Sequence, residues 1–261
     1  MDKLFIIKVG GNIIDDEEGL SSFLKEFASI KEKKVLVHGG GKLATKLAEQ
    51  LNLPQQLVEG RRITDADTLK VVTMVYAGYI NKNMVATLQS MGCNAVGLTG
   101  DDGNAIRGHK RTNSGIDYGF AGDIDFINVP FFESFLKQDI TLIIAPITHD
   151  GNGQLLNTNA DTIAQEIAKG LSYLFDTHLI YSFEKPGVLL DVDDGTSVVK
   201  KLTPGKYKEL KKGGFIFAGM IPKLDNAFAA LGAGVSKVII GKGDQLSQLI
   251  AGESGTSIIN E

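Results

Sequence analysis

The sequence predicts an α/β protein: a three-layer αβα sandwich with a mostly parallel open central sheet. Three observations predict it. Apolar runs of strand length alternate along the chain with stretches of helical periodicity. The runs do not alternate apolar with polar residues, which suits strands covered on both faces. Two of them end in glycine turns, Val9-Gly10-Gly11 and His38-Gly39-Gly40-Gly41, directly before helix-like stretches. A chain of 261 residues with 43% hydrophobic composition can bury the core of one large domain or of two lobes.

Taken in order, strands are expected at residues 4–9, 35–37, 94–98, 141–147, 173–181 and 237–240, several of them rich in β-branched residues. Helical patterns lie at 18–30, 42–51, 65–91, 130–137, 158–171, 204–212 and 223–231. The third helix is the unusual one. Thr64 with Asp67 gives it an S/T-x-x-D capping pattern. It is long for a globular domain, and its middle, Val71 to Ala77, is apolar almost all round. Such a helix is buried in the core or against a second subunit, and the small residues Ala77 and Gly78 favour the subunit. Residues 103–128 break the rhythm with five glycines among polar residues, which fits β-hairpins projecting from the sheet edge. No Pro/Gly/Ser-rich linker appears. The expected organisation is an N-terminal lobe, 1–172, and a C-terminal lobe, 173–261, sharing one continuous sheet.

Composition excludes several classes. The net charge is −4 and no basic block tracks along the chain, which argues against nucleic-acid binding. The run Lys31 to Lys34 reads as a solvated helix end. A single cysteine, Cys93, leaves no intrachain disulfide and no multi-cysteine metal site, and reads as a buried inert thiol. The four histidines, His38, His109, His149 and His178, stand singly, without metal-ligand spacing. Neither a secretory leader nor an apolar run of membrane-spanning length is visible, so a cytoplasmic protein without a membrane partner is expected.

The residues that suggest chemistry lie at strand ends and just before helices. Lys8 closes an apolar strand just before Gly10 and Gly11, and strand C-termini are where open α/β sheets bind ligands. Gly39-Gly40-Gly41 has more glycine than a tight turn needs. Bare backbone N–H groups at a helix N-terminus suit an anion. It is not a Walker A loop, because no G-x-x-x-x-G-K-[ST] occurs, and no G-x-G-x-x-G follows the first strand, which disfavours a dinucleotide dehydrogenase. Lys223 follows a further glycine segment, Gly219-Met220-Ile221-Pro222. Two cations and two amide nests suit a phosphoryl group. Arg61 and Arg62 precede the long helix, and one of them can clamp a carboxylate with its planar fork. In Asn157-Thr158-Asn159-Ala160-Asp161 one residue caps a helix, and the remaining amides are available to a polar substrate.

Together these motifs resemble the amino-acid kinase superfamily, and within it the N-acetylglutamate kinase branch of arginine biosynthesis. The likeness rests on Ile7 to Gly11, His38 to Gly41, Asn52-Leu53-Pro54, Gly60 to Thr64, Ala95 to Leu98, Leu156 to Asp161, Pro186 to Leu189 and Gly219 to Lys223, over essentially the whole chain. The glycine motifs are common to the superfamily; the G-x-R-x-T and N-x-N-A-D elements together are more specific. The resemblance implies catalysis by Lys8 and Lys223, with Asp161 positioning both lysines. It implies substrate binding by Gly40, Gly41, Arg62, Asn157 and Asn159, and phosphate binding at Gly10 and Gly11. ATP would lie near Ser182, Phe183, Gly187, Val188 and Leu189, and near Phe215, Ile216 and Phe217. Mg2+ would be held mainly by the nucleotide phosphates. The implied reaction is phosphorylation of the γ-carboxylate of N-acetyl-L-glutamate to an acyl phosphate, with no general base, because the nucleophile is already ionised. The sequence departs from the branch before the nucleotide. Where relatives have Leu-[Ser/Thr]-Asp-Val-x-Gly, this chain has Tyr181-Ser182-Phe183-Glu184-Lys185-Pro186-Gly187, without the aspartate and about one residue longer, and Phe215-Ile216-Phe217 is unusually aromatic.

Rival readings are an N-succinylglutamate kinase, a sibling acting on carbamate, aspartate, glutamate or uridylate, and a non-catalytic ligand-sensing module on the same fold. Retention of Lys8, Asp161 and Lys223 disfavours the last. The apolar 64–91 helix predicts a homodimer. Arginine-inhibited relatives carry an extra N-terminal helix, whereas here seven residues precede Lys8 and form the first strand, so insensitivity to arginine is expected.

Overall fold

The structure, a computed structural model, describes residues 1–58, 61–113, 115–191, 193–216 and 220–260. Gly60, Phe217 and Gly219, each part of an expected motif, lie outside the described residues. In chain order the elements begin β1 (Lys3–Val9), α1 (Gly11–Ile14), α2 (Glu17–Ser29), β2 (Lys33–His38), α3 (Gly41–Gln50), β3 (Leu57–Val58) and β4 (Arg61–Arg62). They continue α4 (Ala66–Thr73), a π-helical segment (Met74–Ile80), α5 (Asn81–Ser90), β5 (Ala95–Leu98), β6 (Ile106–Asn113), β7 (Ile116–Ile127), α6 (Val129–Leu136), β8 (Thr141–Ile144), β9 (Ile147–His149) and β10 (Leu155–Thr158). The last third holds α7 (Ala160–Leu171), β11 (Asp176–Phe183), β12 (Lys201–Leu202), α8 (Pro204–Lys212), α9 (Ile221–Gly232), β13 (Lys237–Lys242), α10 (Leu246–Ala251) and β14 (Thr256–Ile258). Among the described residues no helix is long and apolar enough to cross a membrane.

The chain divides into two units, residues 1–34 with 164–261, and residues 35–163. In the first, the strand order is β12-β14-β13-β11-β1, and every pairing is parallel except β13 with β14. Leu4, Phe5, Ile6 and Ile7 are all buried, because β1 is covered on both faces and needs no polar side. Helix α2 buries Phe23, Leu24 and Phe27, a single stripe at helical spacing. Lys34 is not solvated as expected. Its side chain is buried over the Phe27 ring, and its ammonium bonds the Ala28 and Ile30 carbonyls at 3.2 and 2.6 Å, closing the end of α2. A cation there also meets the negative end of the helix dipole, worth about 0.3–1 kcal/mol.

In the second unit the order is β2-β8-β5, all parallel. The expected α/β class with a largely parallel central sheet therefore holds. Several boundaries differ for local reasons. The run expected at 141–147 stops at Ile144 and resumes as β9, because Pro146 has no N–H to give a ladder. The strand expected from Tyr173 begins at Asp176; Leu174 and Phe175 instead return their N–H groups to Leu171 and finish α7. Thr158 belongs to β10 rather than to a helix. The 103–128 region is a hairpin, β6 with β7, but it joins β9 and β10 in a separate four-stranded ring instead of projecting from the main sheet.

The long helix is a succession of α, π and α segments, and its cap is Asp65, not Thr64. The Asp65 carboxylate accepts from the Thr68 N–H at 2.7 Å, which holds its pKa below the usual carboxylate value. One face buries Val71, Val72, Val75, Tyr76 and Ile80, whereas Met74 and Tyr79 are 54% and 65% exposed. The helix thus carries apolar residues on two faces, of which the described residues cover only the inner one.

Candidate active site

Gly39, Gly40 and Gly41 follow the C-terminal end of β2 and open a cavity of about 210 Å³, lined also by Arg62, Tyr76, Asn157 and Asn159. That is small-metabolite scale, below the ~300–1,000 Å³ of pockets for drug-sized ligands. All of these residues belong to the 35–163 unit. Gly40 has φ +150°, a conformation that residues with a Cβ rarely adopt, and a Cβ there would stand 2.2 Å from Ile80 Cδ1. The turn must therefore be glycine, and its backbone is pressed against the π-helical segment.

Arg62 is fixed before any ligand arrives. Its guanidinium donates to the Gln55 side-chain carbonyl, to the Gly41 carbonyl at 2.9 Å and to the Thr45 hydroxyl at 2.8 Å. Thr45 in turn donates to the same Gly41 carbonyl at 2.9 Å. Among the described residues no carboxylate pairs with Arg62, so a rigid, uncompensated cation lies in the cavity wall. Tyr76 is buried beside it. Burial raises its phenol pKa, and the neighbouring Arg62 opposes that rise.

Asn157 is placed by β10, which pairs with β7 through Ala121 and with β9 through Ile147. Its amide nitrogen donates to Thr64 Oγ1 at 3.0 Å, and the Thr64 hydroxyl donates to the Arg62 carbonyl at 3.0 Å. The threonine of the G-x-R-x-T element thus ties the arginine segment to the asparagine. The backbone of Thr64 is itself held by the hairpin: its N–H goes to the Tyr118 carbonyl, and its carbonyl accepts from Phe120 N–H at 2.7 Å. Gly119, at φ +63°, makes that approach possible, since a Cβ there would stand 2.3 Å from the Thr64 oxygen. Asn159 is the helix cap: its side-chain oxygen accepts from the N–H groups of Asp161 and Thr162 at 2.9 and 3.1 Å. Asp161 sits in the first turn of α7, where the helix dipole favours an anion.

The other expected residues belong to the first unit. Lys8 is half-buried near the end of β1, in register with Tyr181 on β11. The Lys223 ammonium, on α9, lies 5.9 Å from the centroid of the Tyr181 ring. Tyr181 therefore stands beside both lysines. Gly10 donates its N–H to the Ser182 carbonyl at 2.9 Å, and nothing stands within 4 Å of where a Cβ on Gly11 would be. The Ser182 hydroxyl is buried with no hydrogen-bond partner among the described residues. Phe183, Val188, Leu189 and Ile216 are buried, Phe215 is exposed, and Gly187 packs against Thr256, whose hydroxyl accepts the Val188 N–H at 2.8 Å. Gln55, Thr45, Tyr76, His38 and Asn81 were not singled out by the sequence as site residues. Tyr76 is hidden inside an apolar run; Thr45 meets Arg62 across 17 positions and His38 meets Asn81 across 43, while Gln55, seven positions from Arg62, carries no motif of its own.

Parallel strands that run into glycine turns, with a lysine at one turn and a metabolite-sized cavity walled by a guanidinium at another, define an α/β protein with the makings of a small-anion site. The chain belongs to the amino acid kinase family, whose model matches residues 3–242. A relative named acetylglutamate kinase from Cytophaga hutchinsonii is 57% identical over 251 residues, covering 96% of this chain and 95% of the relative. Another of the same name, from Phocaeicola vulgatus, is 53% identical over 257 residues and covers 98% of each. Among solved structures, smu.665 from Streptococcus mutans superimposes with a TM-score of 0.79 at 29% identity, covering 98% of each chain.

Proposed function

We propose that this protein transfers the γ-phosphoryl group of ATP to the γ-carboxylate of N-acetyl-L-glutamate, giving an acyl phosphate and ADP in arginine biosynthesis. The observation that carries the reading is the Arg62 cavity: a fixed guanidinium with no carboxylate paired to it among the described residues, beside glycine amides, in a chain 50–57% identical to relatives named for this acid. Arg62 and Asn157 hold the amino-acid carboxylate and acyl amide. The Gly40 and Gly41 N–H groups face the acceptor and the transferring phosphoryl oxygens. A γ-carboxylate oxygen forms the new bond to phosphorus while the bond to the ADP oxygen breaks. The nucleophile is ionised at neutral pH, so no base is required. Lys8 and Lys223 neutralise the charge that spreads over the phosphoryl oxygens, and Asp161 orients the lysines.

The nucleotide is assigned to the C-terminal third, along Ser182, Phe183, Gly187, Val188 and Leu189 and at Phe215 and Ile216, where the Ser182 hydroxyl offers an unused polar contact. Among the described residues no cluster of three or more carboxylate, histidine or cysteine side chains forms a metal cage. A Mg2+ ion carried mainly by the nucleotide phosphates would supply further charge neutralisation. The working form is a cytoplasmic homodimer built on the uncovered face of the long helix, around Met74 and Tyr79.

A coupled ADP-release assay with N-acetylglutamate, N-succinylglutamate, glutamate and aspartate tests the reaction. N-acetylglutamate should give the highest kcat/KM. Arg62→Ala should raise the Michaelis constant for the acid at least tenfold and leave that for ATP within about threefold, by loss of a charge-assisted bidentate contact. Preference for another acid, or an Arg62→Ala effect confined to ATP, overturns the reading.

A further inference from the structure

We propose that His38 is a positioning residue for the transfer: it holds the Gly39 carbonyl, so that the Gly40 N–H faces the anion cavity, and Asn81 fixes the ring that does so. This rests on the reading of the cavity as the phosphoryl-acceptor site. His38 ends β2 and is wholly buried. A buried histidine is most simply a satisfied core residue; what distinguishes this one is its partner. Its Nδ1 lies 2.8 Å from the carbonyl oxygen of Gly39, the first residue of the glycine turn. A carbonyl can only accept, so Nδ1 carries the proton. Nε2 then bears the lone pair and meets Asn81 Nδ2 at 3.2 Å. The other hydrogen of that amide goes to the Ile143 carbonyl at 2.9 Å. Asn81 Oδ1 accepts from Lys82 Nζ at 3.2 Å, and the same ammonium bonds the Gly97 carbonyl at 2.7 Å. Neither the amide nor the ring can flip without losing bonds. Burial, helped by the Lys82 charge, keeps the imidazole neutral, with a pKa of about 4, so one tautomer persists at neutral pH.

The consequence falls on the next peptide group. No peptide bond here is cis, and a trans peptide points its carbonyl and its N–H in opposite directions. With the Gly39 carbonyl held against the ring, the Gly40 N–H is directed away from the ring. Gly40 lines the cavity, and no acceptor among the described residues takes its N–H. Glycine at both sides of this peptide also removes the steric barrier to turning it over, which would aim a carbonyl at an anion. The His38 bond is the interaction that selects the productive orientation, so the donor is in place before charge develops.

His38→Asn and His38→Gln separate this role from core filling. Asparagine places its amide nitrogen near the Nδ1 position and can still serve the Gly39 carbonyl; glutamine places its nitrogen near Nε2 and cannot. His38→Asn should lose no more than about tenfold in kcat, and His38→Gln about a hundredfold, the scale of a lost oxyanion donor, with KM for N-acetylglutamate within about threefold in both. In 1H–15N spectra of the free protein, the Gly40 amide signal should move in His38→Gln and stay near its native position in His38→Asn. Equal kcat losses in the two variants, or an unmoved Gly40 signal in His38→Gln, overturn the proposal. Should either His38 variant fail to fold, Asn81→Leu carries the same test from the other end of the chain of bonds: a shifted Gly40 signal with reduced kcat supports it, and an unchanged signal overturns it. A wild-type protein that releases no ADP with N-acetylglutamate defeats the functional reading alone, because the Gly40 signal still decides the positioning role.

Discussion

At the scale of single residues, two kinds of charge do different work. Lys8 and Lys223 flank Tyr181 and are proposed to meet charge that grows only during transfer. Their removal should therefore lower kcat more than it raises either KM. Lys8→Ala and Lys223→Ala should each cost about 2–4 kcal/mol of barrier stabilisation, with unchanged circular dichroism. Near-native turnover in both would remove them from the mechanism. His38 is the opposite case, a group kept uncharged. Burial lowers its pKa to about 4 in the folded chain, from the ordinary imidazole value of 6.5. Between those values the unfolded chain binds a proton that the folded one refuses, so stability rises with pH through this window and levels off above about 6.5. Going down from 6.5 to 4 should remove up to about 3 kcal/mol. His178, also lowered by burial, adds to the same trend. Urea midpoints measured across the window should show a clearly flatter slope in His38→Asn; an identical slope would mean that His38 is charged in the folded protein.

At the scale of elements, the long helix carries two loads on two faces. Its inner face sets Tyr76 beside Arg62, packs Ile80 against Gly40 and delivers Asn81 to His38. The π-helical turn between Met74 and Ile80 changes the angular spacing of these side chains from that of a plain α-helix. Its outer face leaves Met74 and Tyr79 exposed, with Gly78 open between them. If that face is the dimer contact, Met74→Glu with Tyr79→Lys should convert a dimer to a monomer by light scattering at micromolar protein. A wild-type monomer, or a double variant that stays dimeric, would place the contact elsewhere. The hairpin is the other element with reach. By holding both backbone groups of Thr64 it supports the bond to Asn157, although it supplies no charged group to the cavity.

At the scale of the molecule, the sequence disclosed what is local. Glycines, prolines and apolar runs marked the strand ends and helix starts; Lys8 and Gly40 could be singled out at strand ends, and Arg62 and Asn157 just before helices. What it hid depends on distant pairing. Thr64 meets Asn157 across 93 positions and His38 meets Asn81 across 43, and neither partner carries a pattern that names the other. Lys34 looked solvated because its neighbours are charged, yet the carbonyls it caps belong to the preceding helix. The Arg62 cation of the cavity also acts on the amine of the amino acid. An α-ammonium brought within about 6 Å of the Arg62 guanidinium is repelled by about 3 kcal/mol at an effective dielectric near 20, roughly a hundredfold in affinity. Among the described residues no carboxylate forms an ion pair with Arg62 to offset that repulsion. Free glutamate should therefore show a kcat/KM at least about a hundredfold below that of its N-acyl form, and comparable values would mean that shape alone sorts the substrates. Acylation then serves as the specificity signal, read as a missing positive charge.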